Sequence, residues 1–399
     1  MQLTLDAINQ EEFSEQDDEQ PVALNVPKTD SEIEEAYQNL SFRVIYQSNN
    51  FFLPQIKDLI NGKEIINLRP EYQRRLRWSN KKKSSLIESL LLNIPIPPIF
   101  LYESDLARYE VMDGQQRLNA IHEFMENNFA LTGLEKLSFI NGRRYNKLPP
   151  KIRRGLDRGT IGAVVLLRET KSDQSDPFVV RRYVFERLNT GGENLNPQEI
   201  RNSLYRGPFN ELIVTLTRNN VFCRVFGIPE YTETDENEYY ENPARQKNSL
   251  YSRMNDCQII LRFFALMDDE NIKGSMRDIL DNCMKRHSDV ALHALEEYRL
   301  VFEKLINACD SIFQGKPFLL PPEEKGKQRV SVALFDALMV ALYRRIHMLD
   351  QFIDKRCAIQ SGLISMLQSN LGLLTGKANT AKAIKDRIDT IGKILDDAI

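Results

Sequence analysis

The sequence predicts an α+β protein, a mixed α/β domain followed by a mainly helical one. Three observations carry that reading. Short apolar runs of strand length alternate with helical patterns up to about residue 205, and beyond Phe209 the helical pattern continues almost without strands. The 399 residues, 42% of them hydrophobic, supply enough apolar material for two packed cores. The change of pattern near 205 is the expected boundary. It gives an acidic tail over 1–36, a mixed domain over 37–205 and a helical domain over 206–399.

The tail carries eleven acidic side chains and one lysine, so the rest of the chain must be +7 against an overall −3. A segment this polar cannot bury enough surface to order itself and reads as a solvated leader. An autoinhibitory mimic of nucleic acid is the less favoured alternative. The mildly basic body is compatible with phosphate or nucleic-acid contacts.

The mixed domain opens with a short helical stretch near Ser31 to Asn39 and an extended segment at Phe42-Arg43-Val44-Ile45-Tyr46. A short helix over Phe51 to Ile60 then ends at Asn61-Gly62. Ile65 to Leu68 reads as a strand leading into a basic segment that ends at Trp78. Between Arg69 and Lys83, seven of eight charged residues are basic, interleaved with Tyr72 and the single tryptophan. A solvated charged face explains most such runs. Arg74, Arg75 and Arg77 beside Tyr72 and Gln73 can do more, gripping phosphate bidentately and stacking a base.

Ser79 is placed to cap a helix running to Asn93, with Leu86, Ile87, Leu90 and Leu91 on one stripe and Pro95 stopping it. Pro97 to Tyr102 reads as a strand, Glu103 to Arg108 as a polar turn, and Tyr109 to Met112 as a second strand that delivers Asp113. Leu118, Ile121, Phe124 and Met125 then keep helical spacing. Asn141-Gly142 suggests a hairpin turn. Pro149-Pro150 opens a short basic helix, and Ile161 to Leu167 is a strand. Phe178 to Leu188 forms a helix that Asn189-Thr190-Gly191-Gly192 breaks, and Asn196-Pro197-Gln198-Glu199 is a strong helix start. Breaks at Pro229 to Asn248 and Pro317 to Lys327 interrupt the helical domain.

Several classes are excluded. No run approaches the roughly 18 to 20 apolar residues of a membrane span, and the amino terminus is acidic, so a cytoplasmic protein without a membrane partner is expected. Cys223, Cys257, Cys283, Cys309 and Cys357 stand singly, as reduced core residues do, which argues against a disulfide scaffold or a zinc ribbon. No G-x-x-x-x-G-K-[ST] occurs, so an ordinary P-loop is excluded. The histidines are His122, His287, His293 and His347. His287 and His293 fall in one amphipathic helical pattern and His347 stands alone, as surface or core histidines do.

Asp113-Gly114-Gln115-Gln116-Arg117 gathers a carboxylate, two amides and a guanidinium where a strand gives way to a helix. Backbone N–H groups point outward at such a junction and favour anions. Local physics explains part of the motif, with Asp113 as N-cap and Gln116 reaching back from the third helical position. It leaves Gln115, Arg117 and the upstream basic segment unexplained. On residue content alone, helix cap and functional site stand on equal footing.

The run Asp113 to Arg117, with Pro70-Glu71-Tyr72-Gln73-Arg74 upstream and Phe185-Glu186-Arg187-Leu188-Asn189-Thr190-Gly191-Gly192 downstream, resembles the ParB/sulfiredoxin-like domain of GmrSD-type restriction enzymes. The likeness extends from roughly residue 50 to 265. Arg253-Met254-Asn255-Asp256 through Arg262-Phe263-Phe264 is similar to that family's helical region. Asn119-Ala120 stand where the family usually has threonines, on the helix.

The resemblance implies a nucleotide-hydrolysing, DNA-sensing module of anti-phage defence, a nucleoside triphosphatase with GTP as the leading nucleotide. Asp113, Gln115, Gln116 and Arg117 would be catalytic. Asp113 would hold a magnesium ion or the attacking water, the glutamines would position that water, and Arg117 would neutralise developing charge, as phosphoryl transfer requires. Tyr72, Gln73, Arg74, Arg75, Arg77 and Gly114 would line the nucleotide pocket. Arg187 and Asn189 are further candidates, although an ion pair on its own helix explains Arg187 and a helix end explains Asn189.

Full-length members carry an HNH-type nuclease domain, which needs a His beside a general-base His and an Asn. The histidines of this sequence do not suggest that set, and Glu323-Glu324-Lys325 matches a nuclease E-x-K only by composition. A separate HNH-type nuclease subunit and modified phage DNA are therefore the expected partners, and a homo-oligomer is compatible with both. The alternatives are a non-catalytic, nucleotide-gated DNA-binding or partner-binding protein, and a self-sufficient nickase using Asp113 and a metal.

Overall fold

A computed structural model describes residues 13, 15, 29–38, 44–61, 65–68, 78–167, 177–188, 195–205, 207–232, 242–320, 329–369, 371–374 and 379–399. The chain divides into two compact units, Ala23–Asn194 and a second made of Leu195–Ile399 with Met1–Val22. The architecture is α+β, as the sequence predicts.

The first unit runs α1 (Asp30–Gln38), β1 (Tyr46–Phe52), α2 (Leu53–Asn61), β2 (Ile66–Asn67), α3 (Asn80–Leu91), β3 (Ile99–Asp105), β4 (Arg108–Asp113), α4 (Gln115–Met125), α5 (Pro150–Asp157), β5 (Thr160–Leu166) and α6 (Pro177–Leu188). Its sheet has the order β1-β5-β3-β4-β2. The β1/β5 and β3/β4 pairs are antiparallel, and β3/β5 and β2/β4 are parallel. On β5 the side chains of Ile161, Ala163 and Val165 turn inward. They share one core with Ile99 and Leu101 of β3, Leu86 and Ile87 of α3, and Leu118, Ile121 and Phe124 of α4. Each fully buried side chain of this size stabilises the fold by about 1.5–3 kcal/mol.

Three elements differ locally from their sequence-based expectation. Phe51 and Phe52 belong to β1 rather than to the following helix, because they pair with Ile161 and Thr160 of β5. Glu103 to Asp105 extend β3 instead of forming a turn. Glu103 pairs with Tyr109 and Asp105 with Arg108, which confines the reversal to Leu106-Ala107. Asn141-Gly142 does turn the chain, with Gly142 at φ 80°, but short 3-10 turns flank it instead of strands. Its backbone partner is Leu131, whose carbonyl accepts from the Gly142 N–H at 2.7 Å.

The second unit is helical. It contains α7 (Pro197–Leu204), α8 (Pro208–Leu216), α9 (Asn220–Phe226), α10 (Pro243–Lys247), α11 (Ser249–Ser252), α12 (Asn255–Leu266), α13 (Met276–Arg286), α14 (Leu292–Ile312), α15 (Val332–Tyr343), α16 (Leu349–Asp354), α17 (Arg356–Ser369) and α18 (Ala381–Asp396). The start of α7 matches its sequence signature, with Asn196 as N-cap, Pro197 in the first turn and a reciprocal capping box with Glu199. At its centre, α12 is buried from Asp256 to Leu266. Arg262 of α12 meets Asp336 of α15 in a buried ion pair, with Nε donating to Oδ2 at 2.9 Å. Phe222, Phe226, Phe263, Phe302, Phe318 and Phe335 form one connected set of ring contacts in the core of this unit.

His287 and His293 do not share a helix. His287 caps the C-terminus of α13 and His293 lies in the first turn of α14, because Ser288 to Ala291 break the helical path. Four cysteines are buried and Cys357 is exposed, and all are free thiols. Glu15, within the stretch expected to be a solvated tail, is 7% exposed and ion-paired with Arg201 of α7. Among the described residues, no helix is long and apolar enough to cross a membrane.

Candidate functional site

The turn from β4 into α4 carries the candidate site. Asp113 is the last residue of β4, paired with Phe100 of β3, so strand geometry fixes its backbone. The helix cap is Gly114, not Asp113, and no side chain caps α4. The reciprocal Asp113–Gln116 capping expected from the sequence does not form. Gly114 sits at φ 92°, and a Cβ there would lie 2.5 Å from Ile99 Cγ2 and 3.1 Å from Arg117 Nη2. Left-handed backbone and close packing together demand glycine.

Freed from capping, Asp113 accepts from Arg117 Nη2 at 2.7 Å, one helical turn ahead. The other arm of the same guanidinium donates to the Pro97 carbonyl and, at 3.2 Å, to that of Pro98. The Arg117 side chain is 12% exposed and that of Asp113 is 47% exposed. The guanidinium is thus set in place while the carboxylate keeps an open face.

Gln116 points elsewhere. Its Oε1 accepts from the backbone N–H of Trp78 at 3.3 Å. Trp78 immediately precedes Ser79, which caps α3 by accepting from the Lys82 N–H at 3.3 Å. The amino ends of α3 and α4 are therefore linked through one side chain. Helix N-termini carry partial positive charge and unpaired N–H groups, and two of them side by side favour an anion. Lys82 Nζ adds a full charge 4.9 Å from the centre of the Trp78 ring. Lys83, next along α3, reaches Glu123 of α4 at 2.5 Å and fastens the two helices together.

Gln115 is buried. Arg187, exposed near the end of α6, lies over the Tyr183 ring at 4.4 Å, one turn back. Tyr72, Gln73, Arg74, Arg75, Arg77 and Asn189 lie outside the described residues.

Sequence reasoning missed three contributors. Pro97 and Pro98 act through their carbonyls, and any residue has a carbonyl. Trp78 acts through its backbone N–H. The third is the fastening of α6 to the sheet, where Arg181 pairs with Glu110 of β4 at 2.5 Å and covers the Tyr102 ring at 4.2 Å. Glu110, an acid set between Tyr109 and Val111 within the strand, was the available signal.

For a metal, the described residues contain no group of three or more His, Cys, Asp or Glu side chains placed to hold one. Magnesium commonly takes only one or two carboxylates, with waters and substrate phosphates completing its shell. One half-exposed Asp113 beside two helix N-termini fits that requirement.

The first unit is thus an α+β domain whose strand-to-helix turn presents a carboxylate set by an arginine. Residues 56–206 match the family described as GmrSD restriction endonuclease, N-terminal domain, and this part of the chain is a domain of that family. The match associates the chain with restriction systems and, through them, with DNA. No curated protein and no solved structure matches the chain.

Proposed function

We propose that the chain is a nucleotide-hydrolysing, DNA-sensing subunit of a modification-dependent anti-phage restriction system, acting in the cytoplasm with a separate HNH-type nuclease. The observation that carries the reading is the Asp113 carboxylate, half exposed and held by Arg117, beside the joined amino ends of α3 and α4. Phosphoryl transfer to water needs charge neutralisation on the phosphates and an oriented nucleophile more than covalent chemistry. Helix N-termini and Lys82 favour the phosphates. The basic segment Arg69 to Trp78, which leads directly into α3, supplies further cations in sequence.

Asp113 orients the attacking water or would hold a magnesium ion through the carboxylate oxygen that Arg117 does not engage. When bound, such an ion neutralises phosphate charge. Gln116 offers its amide N–H groups to the water, its oxygen being held by Trp78. Gln115, being buried, is assigned a supporting place. Arg117 acts as a positioning residue through Asp113. GTP is the first nucleotide to test.

The separate nuclease is supported by where the histidines lie. His287 stacks on Phe209 at 4.3 Å between ring centres, and His293 and His347 are exposed on other elements. The purified chain is incubated with magnesium and GTP, ATP, CTP or UTP, with modified or unmodified phage DNA, beside Asp113→Ala. Turnover that Asp113→Ala abolishes is the expected result. Equal turnover in both proteins, or none with any nucleotide, would sink the catalytic reading.

One observation favours a second reading, a non-catalytic nucleotide clamp: Arg117 already occupies one oxygen of Asp113. Nucleotide binding without hydrolysis would select it.

A further inference from the structure

We propose that the helical unit contains a binding slot for an acidic peptide, occupied in this chain by its own Glu15. The slot is built on α7 and α12. Arg201 grips the Glu15 carboxylate with both terminal nitrogens, Nη2 to Oε2 at 2.8 Å and Nη1 to Oε1 at 3.1 Å. Gln258 Nε2 donates to Oε1 at 2.6 Å. Behind this fork, Arg201 Nε donates to Asp281 at 2.7 Å and Nη1 to Gln198 Oε1 at 2.7 Å. Gln198 in turn is held by Asn202 at 2.8 Å. Arg201 and Gln258 are each 2% exposed. Two guanidinium nitrogens and an amide converging on one carboxylate is how arginine recognises an acidic ligand.

Three features make this an occupied slot rather than a structural ion pair. The receiving side chains all come from residues 198–281, whereas the occupant comes from the far side of the whole first unit in sequence. Withdrawal of Glu15 leaves Arg201 paired through Nε with Asp281, so no buried charge is stranded. In an ordinary buried pair, loss of one partner does strand the other. Glu15 is also the second carboxylate on a single guanidinium, and the two repel each other.

The sequence around the anchor is that of a ligand segment. Residues 11–19 contain six acidic side chains, Glu11, Glu12, Glu15, Asp17, Asp18 and Glu19. Tethering gives it an effective concentration on the order of millimolar, enough to fill the slot until an acidic segment of a partner competes. The N-terminal segment is then a built-in competitor for a docking site. This inference does not depend on the nucleotide site.

The test uses the full chain and a fluorescein-labelled synthetic peptide of residues 9–21, read by fluorescence anisotropy. Glu15→Ala opens the slot, and the peptide should bind it about tenfold or more tightly than wild type, because apparent affinity scales with the fraction of open slots. Gln258→Met added to Glu15→Ala, or Glu15→Gln made within the peptide, should reverse the gain. Binding no tighter than wild type overturns the proposal, and so does a gain that a scrambled peptide reproduces. Should Glu15→Ala not fold, Glu15→Gln in the chain replaces it, and unfolding of both variants overturns the slot in favour of a structural pair.

Discussion

Arg117 Nη2 lies 2.7 Å from Asp113 Oδ2, and the same guanidinium also holds the carbonyls of Pro97 and Pro98. One side chain thus ties the start of β3, the end of β4 and the first turn of α4. Lysine keeps the charge but cannot serve three acceptors in fixed directions. Arg117→Lys is expected to fold with a loss of about 1–3 kcal/mol in denaturant unfolding, the scale of charged hydrogen bonds. Nucleotide turnover is expected to drop about a hundredfold, as for a displaced reacting group. A variant with wild-type stability and turnover would make the clamp incidental.

Gly114→Ala tests the turn itself. An alanine at φ 92° with its Cβ 2.5 Å from Ile99 combines left-handed strain with overpacking. The expected cost is about 2–4 kcal/mol. Gly142, at φ 80° with nothing within 4 Å of an added Cβ, is the matched control. Gly142→Ala should lose about 1 kcal/mol from backbone strain alone. Urea midpoints at unchanged slope read both. Equal losses would show that packing against Ile99 is unimportant.

What could be read from the sequence was local. The apolar stripe of α4, the Ser79 cap of α3, the apolar strand-length run of β5 and the capping box of α7 each follow from a few neighbouring residues, and each is present. The Asp113–Arg117 turn was legible as a concentration of polar groups at a strand end. Its internal wiring was not, because a cap and an ion pair to Arg117 have the same local signature. Strand pairing with Phe100 and the left-handed Gly114 decide between them. Pro97, Pro98 and Trp78 contribute backbone groups from distant positions, which no side-chain pattern announces. Glu15 was hidden differently, since an acid-rich composition gives no sign that one of its carboxylates meets Arg201, 186 positions away.

Trp78 offers a direct reporter. It is the chain's single tryptophan, its N–H is held by Gln116, and Lys82 sits over its ring. A nucleotide placing phosphates at the amino ends of α3 and α4 draws Lys82 toward the anion and alters the indole's surroundings. Titration with magnesium and GTP should therefore shift the intrinsic fluorescence. Gln116→Ala should weaken that response several-fold while the melting temperature stays within a degree or two, since a single half-exposed hydrogen bond contributes about 1 kcal/mol. Unchanged emission at saturating nucleotide would place the binding site elsewhere.

His287 sets a pH dependence in the helical unit. Its ring stacks on Phe209, Nδ1 lies 2.8 Å from the Cys283 carbonyl oxygen and Nε2 lies 3.2 Å from the Tyr298 hydroxyl. Burial pushes its pKa below the ordinary 6.5, reinforced by Arg286 and opposed by the Cys283 carbonyl and Asp268. The folded state therefore takes up a proton less readily than the unfolded one. Its contribution is fully present above the unfolded pKa and is lost as pH falls from about 6.5 toward the lowered folded value. Thermal unfolding followed between roughly pH 7 and 5 should show wild-type stability declining, with a shallower decline in His287→Phe, which keeps the stack but cannot titrate. A residual slope belongs to His122, which burial also lowers and Lys57 lowers further, against the opposing charges of Glu126 and Glu123. Identical slopes in both proteins would mean that His287 is solvated enough to titrate normally.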